Sequence, residues 1–302
     1  MEQLKTKAVV EGAILTTITV ILAILAIYLP ILGSFLFLLT PVPLIVLTVR
    51  AGGKPGIIAS LATALILAFL INPVMFLVVV LNIGLIGISM GAAFEDGFSS
   101  VTILLIGIIA GAFSLLLSLM ISIYILEVDV IVQLEQSLQI SLDLYREIGL
   151  PAEVILQAEE LFEQIIELIT ATYPALFLSA GAVIAGVNYY FSYTIMDRLD
   201  VQLPARFSVQ EIKFPKIIVI FYIISIIFNH SVIWQNIYVI ITFLLLLEGI
   251  AVCYYYFMQW DLNQGLAVVL IFTLIFFPLF NPLLLLIGIL DLWFDFRKLD
   301  KI

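Results

Sequence analysis

Apolar stretches long enough to cross a lipid bilayer recur from one end of this 302-residue chain to the other. Hydrocarbon offers no partner for a backbone N–H or C=O, so only helices and closed barrels can cross it. A barrel would read as short segments of alternating polarity. These runs are continuous, so the chain is read as an all-α polytopic membrane protein. Its hydrophobic share of 64% and mean hydropathy of +1.27 support this, since soluble domains are about half apolar. The first run starts near Val9, after Lys5 and Lys7, and ends in Tyr28-Leu29-Pro30. It lacks a small-residue cleavage pattern and is read as a retained span.

Ten spans are expected, at 8–29, 31–49, 56–71, 74–94, 100–126, 172–196, 215–234, 236–258, 264–278 and 281–296. The third and ninth have about 15 residues, roughly 22 Å of helix, against a bilayer core of about 30 Å. Each runs into an Asn-Pro pair, Asn72-Pro73 and Asn281-Pro282, and proline opens a new helix well. Lysine and arginine in short loops mark the cytoplasmic side. Lys5 and Lys7, Arg50 and Lys54, Arg198 to Lys216, and Arg297 to Lys301 all fall on one side of a ten-span arrangement. Both termini are then cytoplasmic, in the cell membrane.

The net charge is −10, and most of it lies in one place. Residues 127–169 hold ten acidic residues and one basic residue, Arg146. Ile131, Leu134, Leu138, Leu142 and Tyr145 recur at helical spacing, as do Val154, Ala158, Leu161, Ile165 and Leu168. Gly149-Leu150-Pro151 separates the two stripes. The pattern predicts an extracytoplasmic amphipathic hairpin at 127–171, with its acids on a solvated face. The organisation expected is a six-helix membrane bundle from 1–126 and 172–197, the hairpin, a cytoplasmic loop at 198–214, and four further membrane helices in 215–302. Nucleic acid is excluded as a partner for want of a basic footprint. Gly87-x-x-x-Gly91, Gly107-x-x-x-Gly111 and Gly181-x-x-x-Ala185 mark close helix packing.

The stretch LTPVPLIVLTVRAGGKPG at 39–56 invites a phosphate-loop reading. Such a loop needs glycine, four residues, then Gly-Lys and Ser or Thr. Here Pro55 follows Lys54 and Thr48 stands where the first glycine should be. The stretch is read as a cytoplasmic turn after a proline-bent span. Pro41 and Pro43 free carbonyls that a helix, water or ligand must satisfy, which makes both candidates for a cavity wall.

An ionisable group within a span is a functional candidate by default. Glu248 lies mid-span in LLLLEGIAVCYYYF, where a carboxylate costs about 3 kcal/mol on insertion scales. It is a candidate for substrate or proton contact, with an interhelical hydrogen bond as the alternative. Asn82 and Asn188 carry the same pair of readings. Asp291 and Asp295, near Arg297 and Lys298, are expected to form ion pairs at the inner surface. His230 is expected in a solvated turn. One cysteine, Cys253, and one histidine rule out a disulfide within the chain and any metal motif needing two such ligands. No catalytic set is visible, and neither an enzyme activity, a metal nor a cofactor is expected.

Glu11-Gly12-Ala13 opening a span, then Pro41-x-Pro43-Leu44 and a basic glycine turn, resembles the S components of energy-coupling-factor transporters. Those have six spans with both ends cytoplasmic. S components often dock a membrane partner through alanines four apart on the first span, whereas Ala23 and Ala26 are three apart. LPARFSVQEIKFP at 203–215, Gln264-Gly265-Leu266 and GILDLWFDFRK at 288–298 resemble the YybS-type bacterial membrane proteins over most of the chain. The resemblance implies an S-component-like bundle with four added helices. The function expected is binding or transport of a small molecule, with lipid as the surroundings and a membrane subunit as a partner. The alternative is a scaffold or signalling protein that binds a partner through the hairpin or the inner loop.

Overall fold

The computed structural model describes residues 2–30 and 32–299. The side chains of Lys5 and Lys7, and Lys301, lie outside the described residues, and so do their expected charges. Among the described residues the secondary structure is entirely helical. Among the described residues seven helical stretches, with Gly33–Ala51 and Val74–Glu95 each taken as one, are long and apolar enough to cross a membrane, and three shorter apolar helices accompany them. The chain divides into two compact units, Met1–Ser137 with Phe177–Arg206, and Leu138–Leu176 with Phe207–Ile302.

The first unit begins with α1 (Glu2–Tyr28), α2 (Gly33–Leu39), α3 (Val42–Ala51) and α4 (Gly53–Leu70). The second apolar run is split into α2 and α3 because Pro41 and Pro43 remove two helical donors. At Gly52 the chain turns with φ +95, a conformation that favours glycine, and the next residue opens α4. The third apolar run makes an 18-residue helix, longer than expected, because Gly53-Lys54-Pro55 joins its first turn. Proline suits that position, where no helical N–H partner exists. Next come α5 (Val74–Val79), a π-helical turn (Val80–Leu85), α6 (Ile86–Glu95) and α7 (Ser100–Tyr124). Ser99 caps α7 by accepting from the Thr102 N–H.

Small residues set the packing in this unit. A Cβ on Gly87 would lie 2.8 Å from Leu44, and one on Gly91 2.5 Å from Thr48, so α6 lies hard against α3. A Cβ on Gly181 would lie 2.6 Å from the Ile108 carbonyl, so α7 meets the helix that carries Gly181 backbone to backbone. The core runs through Val20, Leu44, Leu47, Ala64, Leu67 and Ile83. Outward, Val9, Phe69 and Ile109 are among many exposed large apolar side chains, the exterior that lipid solvates.

α8 (Val130–Glu147) and α9 (Ala152–Arg198) follow. Gly149 turns the chain between them with φ +76, and Asp129 caps α8. In α8 the expected stripe is the covered face, and Leu142 is buried. In α9 only Ala158 of the expected stripe is covered. Val154, Leu161, Ile165 and Leu168 are exposed, and Ile155, Ala158, Phe162, Ile166 and Ile169 are the shielded set. Both sets are apolar at helical spacing, so periodicity alone does not choose between them.

α9 kinks at Thr172 (φ −115, ψ 17), two residues before Pro174. The side chain of Asn236 bridges the open rung, donating to the Ala171 carbonyl at 2.8 Å and accepting from the Ala175 N–H at 3.1 Å. Asn236→Leu strands both backbone groups. It is expected to lower stability by about 2 kcal/mol, read as a lower unfolding midpoint in detergent.

The second unit continues with α10 (Ile217–Ile227), α11 (Val232–Gln259), α12 (Gln264–Phe276) and α13 (Asn281–Phe294). The seventh span was expected to run to 234, but the helix ends at Ile227. Phe228 leaves helical geometry, and the polar turn Asn229-His230-Ser231 hands Val232, Ile233 and Trp234 to α11. α10, α12 and α13 have 11, 13 and 14 residues, all short against a core of about 30 Å.

Candidate functional site

Among its described residues the second unit buries three ionisable side chains, Glu248, Asp291 and Arg297. Glu248 sits in the middle of α11, followed at once by Gly249. A Cβ on Gly249 would lie 2.0 Å from the Leu284 carbonyl of α13, and one on Gly288 would lie 2.2 Å from the Leu245 carbonyl of α11. The two glycines therefore let the helix backbones touch. Asp291 follows Gly288 by three residues on α13, within reach of the same face. α13 ends at Phe294, and Asp295 takes the left-handed conformation with φ 48. This turn carries Arg297 back into the unit.

Arg297 joins the two acids. Its Nη2 donates to Asp291 Oδ2 at 2.8 Å and to Glu248 Oε1, and its Nε donates to Asp291 Oδ2 at 3.1 Å. Its Nη1 donates to the Gln210 carbonyl at 2.9 Å. The Phe214 N–H donates to the other Glu248 oxygen at 3.0 Å. All three side chains of the triad are closed off from solvent. Nearer the surface, Lys213 pairs with Asp295 at 2.6 Å. The loop segment 210–214, the middle of α11 and the turn after α13 are thus tied at one point.

The expected inner-surface pairing is therefore placed differently. Asp291 does pair with Arg297, but in the interior and together with Glu248. Asp295 pairs with Lys213 rather than Lys298. The reason is the left-handed turn at Asp295, which points Arg297 inward. Arg297 as the cation for Glu248 was missed by sequence reasoning. The available signal was that a carboxylate buried mid-helix needs a cation.

In the first unit, the proline break meets Asn188. The Phe37 carbonyl, whose helical partner Pro41 has no N–H, accepts from the Thr40 N–H at 3.2 Å and from the Thr40 hydroxyl at 2.6 Å. The Leu38 carbonyl accepts from Asn188 Nδ2 at 3.0 Å. The same amide nitrogen also donates to the Ile184 carbonyl at 2.9 Å. Asn188 is fully buried and its Oδ1 has no hydrogen-bond partner. One turn along, the buried Ser192 hydroxyl also has none, and neither does buried Thr48 on α3.

Asn82 lies in the π-helical turn. It donates to the Ser118 hydroxyl at 3.2 Å and accepts from the Ser114 hydroxyl at 3.0 Å, both on α7. Such turns occur often at functional sites. Glu11 pairs with Arg50. At the end of α9, Tyr189 donates to Ser100, which donates to the Ala205 carbonyl at 2.6 Å. Tyr193 donates to the Pro204 carbonyl, and the Arg206 guanidinium lies over the rings of Tyr190 and Tyr193 at 5.2 and 5.4 Å. These contacts fasten residues 204–206 to Ser100 of α7 and to the end of α9 within the first unit.

The structure thus brings Asn188 to the break made by Pro41 and Pro43, and Asn82 to the serines of α7. Glu248 belongs to the other unit. His230 is exposed and Cys253 is partly buried. Among the described residues no group of three or more His, Cys, Asp or Glu is placed to hold a metal ion.

The comparisons agree with a membrane protein. Uncharacterized protein YybS of Bacillus subtilis (strain 168) is 26% identical over 317 residues, an alignment that covers 98% of this chain and 99% of that one. No solved structure matches the chain at a significant level. A family model described as predicted membrane protein (DUF2232) matches residues 17–292, and the chain belongs to that family.

Proposed function

We propose that this protein is a multi-pass binding or transport component for a small polar molecule in a bacterial cell membrane, with the first unit as its binding part. The observation that carries this reading is Asn188. One end of its amide holds the proline-broken span. The other end, fully buried, offers an unused acceptor beside the unused hydroxyl of Ser192. Broken helices with exposed backbone and polar side chains are how membrane carriers build sites at depth. The likeness of residues 1–197 to S components belongs to the same reading, as does a membrane partner subunit.

Native mass spectrometry of mildly solubilised protein tests it. The wild type is expected to carry a small-molecule adduct, and Asn188→Ala is expected to lose at least nine-tenths of it. A wild type with no adduct, or an adduct unchanged in Asn188→Ala, counts against the reading.

In this proposal all ten apolar segments cross, both termini are cytoplasmic, and the 127–171 hairpin faces outward. A cysteine at Gly149 in a Cys253→Ser background is then expected to react with an impermeant maleimide added to whole cells. A cysteine at Gly53 should react only after permeabilisation.

One observation favours a scaffold instead. Leu156, Leu161 and Ile165 are exposed beside the acidic residues of α9. If that reading holds, deleting 130–170 abolishes a stable pull-down partner while the adduct remains.

A further inference from the structure

We infer that Glu248 and Asp291 form a proton-binding site, in which one proton is held between the two carboxyl groups and Arg297 balances the remaining charge.

The charge count leads there first. Glu248, Asp291 and Arg297 are all fully buried, and Arg297 is the cation for both acids. Fully ionised, the triad carries −1. A net charge in an enclosed apolar setting costs several kcal/mol, and such groups neutralise instead. Two carboxylates at one site cannot both ionise cheaply.

The hydrogen bonds give a second, independent observation. Glu248 Oε1 accepts from Arg297 and Oε2 accepts from the Phe214 N–H. Asp291 Oδ2 accepts twice from Arg297. Asp291 Oδ1 is left, buried and without a partner. The two acids meet on the same nitrogen, Arg297 Nη2. An ionised carboxylate only accepts, whereas a protonated one donates once. One proton shared by the two acids neutralises the triad, and the unpartnered Asp291 oxygen is the place left open to it.

Among the described residues no charged side chain other than Arg297 is hydrogen-bonded or ion-paired to Glu248 or Asp291. From the 207–214 segment the site receives the Gln210 carbonyl and the Phe214 N–H, and Lys213 of that segment is paired with Asp295. On α10, Tyr222 stacks against Tyr238, which lies about 15 Å along α11 from Glu248. The sequence of α12 has no ionisable residue. Among the described residues, Glu248 and Asp291 are the acids that are buried. The inference stands on the second unit alone and does not depend on ligand binding by Asn188.

Infrared spectroscopy of the purified protein in liposomes, at neutral pH, tests it. The expected result is a protonated-carboxyl C=O band that shifts in D2O. It should be the same whether the salt is sodium, potassium or choline chloride. The band should vanish in both Glu248→Gln and Asp291→Asn, each of which leaves one acid against one arginine. Should a variant fail to fold, wild-type protein labelled with carbon-13 in aspartate or in glutamate makes the same assignment by moving the band. A wild type without the band overturns the inference. So does a band untouched by both variants, or one that labelling of neither acid moves. A band present in choline but abolished by sodium or potassium means that the site takes a metal cation, and overturns it equally.

Discussion

Arg297→Ala is expected to be the most damaging single substitution in the second unit. It leaves Glu248 and Asp291 buried without a cation and frees the Gln210 carbonyl. Breaking a buried ion pair by removing one partner costs about 3–5 kcal/mol, comparable with the total stability of many domains. The expected result is a large loss of folded protein on size exclusion in detergent and an unfolding midpoint far below the wild type. Glu248→Gln and Asp291→Asn should each be milder, because one acid still faces the arginine. The triple variant Glu248→Gln, Asp291→Asn, Arg297→Met should recover most of what Arg297→Ala loses, since buried ion clusters are often replaceable by uncharged groups of similar size. An Arg297→Ala protein as stable as the wild type would show that the triad does not hold the loop and α13 to α11.

Gly249→Ala and Gly288→Ala come next in expected effect. Each added methyl would sit within 2.2 Å of a backbone carbonyl on the facing helix, which cannot swing aside as a side chain can. Helices α11 and α13 must separate, at about 3 kcal/mol each. The separation also pulls Asp291 and Glu248 apart, so both variants should alter the pairing at Arg297. Gly186→Ala is the control. It meets nothing within 4 Å, and alanine is the better helix former by about 1 kcal/mol, so its midpoint should match or exceed the wild type. Thermal unfolding followed by tryptophan fluorescence would compare all three. Equal midpoints for Gly249→Ala and the wild type would argue against close contact of the two helices.

The helical membrane class was legible at once, because hydrocarbon tolerates so few backbone arrangements. The small-residue faces at Gly87, Gly91 and Gly181 were legible for a similar reason: little else brings backbones so close. What failed was the choice between equal alternatives. Val154 and Ile155 both begin an apolar stripe along α9, and only tertiary packing decides which is covered. The end of α10 was missed because apolar residues continue on both sides of Asn229-His230-Ser231. Of the site, Glu248, Asn82 and Asn188 stood out as polar groups in apolar runs. Arg297 did not, because a basic residue beyond the last span reads as a topology marker. Its inward course depends on one left-handed residue, Asp295, which no periodicity reveals. Asn236 escaped for a related reason. Its role exists only where Pro174 has opened a helix elsewhere in the chain.

The order in which the triad's members are made has a consequence for biogenesis. Arg297 lies 49 residues after Glu248. At translation rates of about 5–20 residues per second, α11 leaves the ribosome with its acid roughly 2–10 seconds before the balancing guanidinium appears. During that interval the insertion machinery, or a borrowed proton, must keep the nascent α11 in place. A stalled chain ending between these residues should therefore be a preferred client of membrane quality-control proteases, and one extended past Arg297 should escape them.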